Sequence, residues 1–154
     1  MSGRVFGTDD EPGCARRGRG HRQPEPVTCR TVVALLEGEE TLPVLTDLRY
    51  DSAHPYSVFV AFNAGTDMVV EWEFGRELLT SGRWRLTGLG DVQIWPAEIR
   101  GHGLVYMSFR SGGEKFVVAA SAVVIDEFIE SAIEAVSHGE EERFLAVDVM
   151  ESFD

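Results

Sequence analysis

The hydrophobic period of this chain changes once, and that change decides the fold class. From Thr28 to Ala120 apolar residues come in short runs broken by turn residues, the pattern of β-strands at regular spacing. Beyond Ser121 the period lengthens to that of a helix. Ile125, Phe128, Ile129, Ala132, Ile133 and Val136 fall on one face, while Asp126, Glu127, Glu130 and Glu134 take the other, which predicts one main C-terminal amphipathic helix. Strands followed by a helix give an α+β domain of antiparallel sheets with that helix packed on them.

The runs predict strands near Thr28–Leu36, Asp47–Asp51, Tyr56–Asn63, Met68–Phe74, Asp91–Trp95, Leu104–Arg110 and Lys115–Ala120. Asn63 to Asp67 and Ser111 to Glu114 have the length and the glycine of hairpin turns. "RELLTS", Arg76 to Ser81, is rich in helix formers and is followed by Gly82, so it predicts a short helix. The acidic, partly apolar end of the chain predicts a second short one. In Met68 to Phe74 the even positions are apolar and Glu71 and Glu73 polar, so one face is core and the other wet. In Tyr56 to Phe62 and Leu104 to Phe109 both faces are apolar, so either these strands are central in the sheet or a second subunit completes their burial, and the second subunit is the preferred reading.

Met1 to Pro26 has no apolar period and is rich in Gly, Pro and Arg, so 1–26 reads as a disordered extension ahead of a single domain over 27–154. A second reading makes it non-native: only Lys115 is lysine among 14 basic residues, which suggests a GC-rich gene in which Val27 could be a GTG start. The intact mass of the protein from its own organism decides between the two.

A chain of 154 residues suits one domain. Its formal net charge of −12 repels a phosphate backbone, so nucleic acid is disfavoured as a partner. Cys14 and Cys29 do not make a disulfide scaffold or a four-ligand zinc site, and a reducing cytoplasm is the expected setting. No apolar stretch approaches the ~18–20 residues of a membrane span, and no secretory leader pattern opens the chain. Membrane association is expected only through partners.

"TGLGDVQIWP", Thr87 to Pro96, resembles a phosphate loop at first sight. A dinucleotide fingerprint needs a third glycine and a following helix, and a P-loop needs Gly-Lys-Ser/Thr; neither is present. Gly88 and Gly90 are expected to turn the chain through conformations other residues avoid. His54 and His102 with Asp51 have no metal-ligand spacing, and no nucleophile elbow, catalytic cysteine motif or carboxylate pair stands out. The expectation is no enzyme, no cofactor, no metal and no small-molecule substrate. Arg76, Arg83, Trp84 and Arg85 form the one basic and aromatic cluster of the folded part, which keeps single-stranded nucleic-acid binding as the alternative function.

"LRYDSAHPYSVFVAF", "VEWEFGRELLTSG" and "TGLGDVQIWP", in that order and spacing, resemble the SsgA-like family of actinobacterial sporulation-specific cell division proteins. The resemblance runs from about Thr28 to the end. It places Arg49, Tyr50, Asp51, Pro55, Tyr56, Trp72, Phe74, Arg76, Leu78, Leu79, Gly88, Gly90, Asp91, Trp95 and Pro96 at motif positions that hold the fold or meet a partner. It implies a whirly-like fold assembled as a homotrimer. It also implies a non-enzymatic adaptor or regulator of septum site selection and septation during sporulation, located in the cytoplasm at the division septum. The partners it implies are FtsZ or other septal proteins. Glu130 and Ser131 depart from the basic residue and threonine that relatives often carry there.

Overall fold

The computed structural model describes residues 13–16 and 25–145. The strands are β1 (Gly13–Arg16), β2 (Val27–Glu37), β3 (Glu40–Tyr50), β4 (Ser57–Phe62), β5 (Val70–Gly75), β6 (Val92–Ile99), β7 (His102–Ser111) and β8 (Glu114–Ser121), and the helices are α1 (Arg76–Gly82) and α2 (Ala122–Ala135). All pairings are antiparallel, in the order β5-β4-β3-β2-β8-β7-β6.

The sheet curls. Phe62 and Trp72, from β4 and β5, meet Phe109 of β7 at ring separations of 5.3 and 5.1 Å, and Phe116 of β8 stacks on Phe109 at 5.2 Å. Strands far apart in sheet order therefore share one aromatic core, and edge-to-face contacts between such rings add to the burial of their area. α2 lies against β1, β2, β7 and β8, with Ile125, Phe128 and Ala132 buried in the same cluster. Along β2 and β4 burial alternates residue by residue, as a sheet with one core face requires. In β4 and β7 the outward Phe59, Ala61, Leu104 and Tyr106 are half-buried, so the second apolar face expected from the sequence is real.

Several elements differ from the sequence reading. β3 begins at Glu40 rather than Asp47, because Glu37 and Glu40 close a tight hairpin around Gly38 at φ 61°, and Pro43 sits within the strand. The extension expected to be structureless contributes β1, which pairs with Val27 to Arg30 on the edge of β2 that β8 covers only farther along, at Ala34 to Leu36. That register sets Cys14 opposite Cys29 and joins them in a disulfide, a pairing the spacing of the cysteines did not suggest. Residues 141–145 are helical, and the rest of the expected second helix lies outside the described residues. The outer end of the Met68 to Phe74 row is exposed at Met68 and Val70, because β5 is an edge strand that the core reaches only at Trp72 and Phe74.

The two glycines of Thr87 to Pro96 are unequal. Gly88 has φ 114°, and a Cβ there would strike the Val92 carbonyl oxygen and lie 3.1 Å from Gln93 Cα. Gly90 has neither constraint, so only Gly88 fits the expected turn role. Gly88→Ala is expected to cost about 2 kcal/mol or more in urea unfolding, combining left-handed backbone strain with a backbone collision. Gly90→Ala should stay within about 0.5 kcal/mol of the parent; equal losses at both positions would refute this account of the turn.

Candidate interaction surface and its buried arginine

Arg76 opens α1, and its side chain is 7 % exposed. A buried guanidinium has to be paired and hydrogen-bonded, and here it is. Nη1 donates to the Tyr50 hydroxyl at 3.1 Å, to the Ala132 carbonyl at 3.1 Å and to the Val136 carbonyl at 2.8 Å, and Nη2 donates to Glu141 Oε2 at 2.8 Å. The Ala132 and Val136 carbonyls are at the C-terminal end of α2, where intrahelical donors run out and the helix dipole is negative. α2 has no basic residue in its own last turn, so Arg76 supplies the cation from another element. The Arg76 backbone amide donates to the Tyr56 carbonyl at 2.7 Å, fixing the start of α1.

The other end of α1 holds the other end of α2. Arg83, just past the helix, donates from Nε and Nη2 to both Asp126 carboxylate oxygens at 2.6 and 3.1 Å, a bidentate fork. Its guanidinium also covers the Trp84 ring at 4.2 Å. Beneath Arg76, the Tyr50 hydroxyl donates to the Pro55 carbonyl at 2.9 Å, and Asp51 Oδ1 accepts from the Ala53 amide at 3.0 Å. Leu-Arg-Tyr-Asp and the following Pro-Tyr are thus one device that folds the β3–β4 connection back onto Tyr50.

These contacts set two titrations. Burial pushes the Tyr50 hydroxyl up to about 12, with Arg76 pulling down and Glu141 and Asp51 adding to the rise. Burial also pushes the Glu141 carboxyl up, but hydrogen bonds from its own amide, Arg76 and the Gly139 amide outweigh it and hold the group below the ordinary carboxylate value.

On the surface, a depression of about 460 Å³ is lined by Arg85, Leu86, Gln93, Trp95 and Pro96. Trp95 stacks on Tyr106 at 5.7 Å beside it. A second, also about 460 Å³, lies between Tyr56, Gly75, Arg76, Glu77, His138 and Glu141. Among the described residues no group of three or more His, Cys, Asp or Glu could hold a metal ion, and no helix is long and apolar enough to cross a membrane.

Residues 44–141 match the family described as Streptomyces sporulation and cell division protein, SsgA. The chain belongs to the SsgA family. It is 37 % identical over 123 residues to the sporulation-specific cell division protein SsgB of Streptomyces coelicolor, covering 79 % of this chain and 90 % of that one. SsgB of Thermobifida fusca is 33 % identical over 123 residues, covering 79 % and 89 %. Among solved structures, one from a study of SsgB mutations and longitudinal cell division in Streptomyces coelicolor superimposes with a TM-score of 0.74 at 36 % identity, over 81 % of this chain and 99 % of that one. The SsgA-like protein of Thermobifida fusca gives 0.78 at 32 % identity, over 83 % and 94 %. The curled antiparallel sheet is therefore the SsgA-family fold, and the family is one of cell division proteins.

The residues expected from the sequence to hold the fold or meet a partner separate by environment. Tyr50, Pro55, Phe74, Arg76 and Leu79 are buried, and Trp72 and Leu78 are half-buried. Arg49 is exposed and pairs with Asp51 at 3.0 Å. Asp91 is exposed, and its carbonyl accepts from the Arg110 amide at 2.9 Å. Tyr56 is exposed at the rim of the second depression, and Trp95 and Pro96 line the first. The basic cluster of Arg76, Arg83, Trp84 and Arg85 is not one surface: Arg76 is buried against Glu141 and Arg83 is held by Asp126, leaving Trp84 and Arg85 exposed. Glu141 and Asp126 carry no local signal of these roles, because each is far in sequence from the arginine it meets.

Removing Arg76 while keeping its bulk, as in Arg76→Met, is expected to cost about 3–5 kcal/mol, since it strands the Glu141 carboxylate and takes the Arg76 donor from the Val136 carbonyl. Tyr50 links that network to alkaline pH. Its raised value means its contribution is complete below pH 10 and is lost as pH rises from 10 towards 12, a fall of order 2–3 kcal/mol. Chemical unfolding across that interval should show the fall in the parent and not in Tyr50→Phe; identical slopes in the two proteins would refute the assignment.

Proposed function

We propose that this chain is a non-enzymatic adaptor in sporulation-specific cell division that controls where septa form, in part by recruiting FtsZ. The observation that carries this reading is the match to SsgB proteins across both sequence and fold. In it the protein works in the cytoplasm at the septum as a whirly-like homotrimer. Repeated copies of one surface let weak contacts with a polymer gain avidity without a chemical step. An outward row supports self-association: Tyr106, Ala119, Ala34 and Pro43 are cross-strand neighbours on four adjacent strands. Small residues at the centre of such a row let a second copy approach closely.

The nucleic-acid alternative loses support from the arginine placement, since two of its three cations already neutralise carboxylates. The deciding experiment is co-sedimentation of the full chain with FtsZ from the same organism, with light scattering to follow polymer assembly. Saturable binding in the micromolar range that shifts assembly is expected. No binding at tens of micromolar would remove direct FtsZ recruitment and leave another septal partner.

A further inference from the structure

The two end strands of the curled sheet are unequal. β6 carries Pro96, which has no amide to donate, and part of its edge is taken by the Thr87–Ile94 bridge. β5 reads Val-Glu-Trp-Glu-Phe-Gly with no proline, and among the described residues no strand pairs with its far side. The Arg76 amide continues the β4–β5 ladder onto the Tyr56 carbonyl. Bonded positions alternate along an antiparallel pair, so the even residues of β5 bond to β4, and the amides and carbonyls of Glu71 and Glu73 face the open side. A row of unpaired donors and acceptors is a template for a further strand.

Charge selects what that strand carries. The Glu71 and Glu73 side chains are exposed on the outer face of this edge. They border a depression of about 520 Å³ lined also by Phe59 and Ala61 of β4 and by Asp47 and Arg49 of β3. The other charges there are already committed: Arg49 pairs with Asp51 at 3.0 Å, and the Arg30 guanidinium donates to both Asp47 oxygens at 2.8 and 3.0 Å. Glu73 accepts a hydrogen bond from the Ser57 hydroxyl at 2.7 Å, but neither it nor Glu71 has an ion-pair partner among the described residues. Two uncompensated carboxylates on one edge, in a chain of net charge −12, attract basic side chains and repel acidic ones. They also oppose pairing with the β5 of a second copy, because like charges opposite each other destabilise a strand pair. The inner side of the edge is apolar, with Val70 45 % exposed and Trp72 half-buried.

We infer that β5 accepts an extended basic segment of a partner protein as an additional strand. Lysine or arginine at every second position of that segment pairs with Glu71 and Glu73, and the apolar residues between them extend the inner face at Val70 and Trp72. Backbone hydrogen bonds to Glu71 and Glu73 supply the attachment, and the alternation of side chains supplies the selectivity. The inference deepens the adaptor reading by naming the kind of segment the adaptor takes up, and it rests on that reading only for the partner's place in division.

The test uses the full chain and a fluorescein-labelled decapeptide in which lysine alternates with valine. Two controls accompany it, one of the same composition with the lysines gathered at one end and one with glutamate for lysine. Anisotropy should show saturable binding of the alternating peptide, about fivefold weaker binding of the gathered one and none of the acidic one. Glu71→Lys with Glu73→Lys should weaken the alternating peptide by about tenfold. Glu127→Lys with Glu130→Lys makes the same charge change on exposed positions of α2 and should stay within about twofold of the parent. Binding should also slow hydrogen exchange at the Glu71 and Glu73 amides. No binding of the alternating peptide, equal binding of the gathered one, equal weakening by the two double variants, or unchanged exchange at Glu71 and Glu73 would overturn the inference. So would a homo-oligomer that Glu71→Lys with Glu73→Lys dissociates, which would assign the edge to a second copy. FtsZ co-sedimentation of the parent keeps the two proposals apart: peptide binding without FtsZ binding leaves the β5 edge standing and removes the FtsZ reading, and FtsZ binding without peptide binding does the reverse.

Discussion

The guanidinium of Arg76 is the contact on which the packing of the two helices depends. α2 has no basic residue of its own in its last turn, and past the Val136 amide, which bonds to the Ala132 carbonyl, its intrahelical donors run out, a helix terminus that costs free energy when buried. Arg76 caps it from another element, and Glu141 neutralises the charge that the cap brings in. Arg83 repeats the arrangement in reverse at the other end of α1, reaching Asp126 near the start of α2. The two arginines bracket a helix of seven residues, roughly 10 Å long at the α-helical rise, so α1 is clamped alongside α2 at both ends. A single salt bridge on the surface would contribute little; two clamps on one rigid element also fix its direction.

That direction has consequences for the surface. α1 packs on β6, and the chain leaving α1 runs straight into Trp84 to Leu89 and returns as β6. Because Arg83 holds the exit of the helix and Thr87 bonds to Ile94, the intervening side chains cannot turn inward to join the core. The exposed tryptophan and leucines are thus a product of the same clamp that orders the helices. Helix packing and the exposed ring are joined at Arg83, whose guanidinium both neutralises Asp126 and lies on the Trp84 ring.

How much of this the sequence carries depends on the range of the interaction. Hairpins around Gly65 and Gly112, the α2 period and the inward faces of β4 and β7 are set by neighbours a few residues apart, and the local pattern shows them. The early part of β3 does not show, because Pro43 and a polar start break the alternation that its long pairing with β2 enforces. β1 has no apolar period at all and exists through backbone pairing with β2. Arg76 is the clearest case of a residue whose type misleads. Beside Arg83 and Arg85 it reads as part of a basic surface, and only contacts across 56 to 65 residues place it inside.

The site is small, and its size bears on mechanism. A depression of about 460 Å³ takes only a few side chains, whereas a stable complex buries roughly 800 Å² per partner. One such contact gives weak, fast-exchanging binding. Under the proposed adaptor role that weakness is useful, provided several copies act together. Linked weak sites hold a polymer through effective concentration and release it when the array is disrupted, whereas one tight site would trap it. The rigidity imposed by the α1 clamps bears on that proposed role, because every copy of the chain then presents the surface beside α1 in the same pose, and a surface fixed in advance loses little entropy on binding.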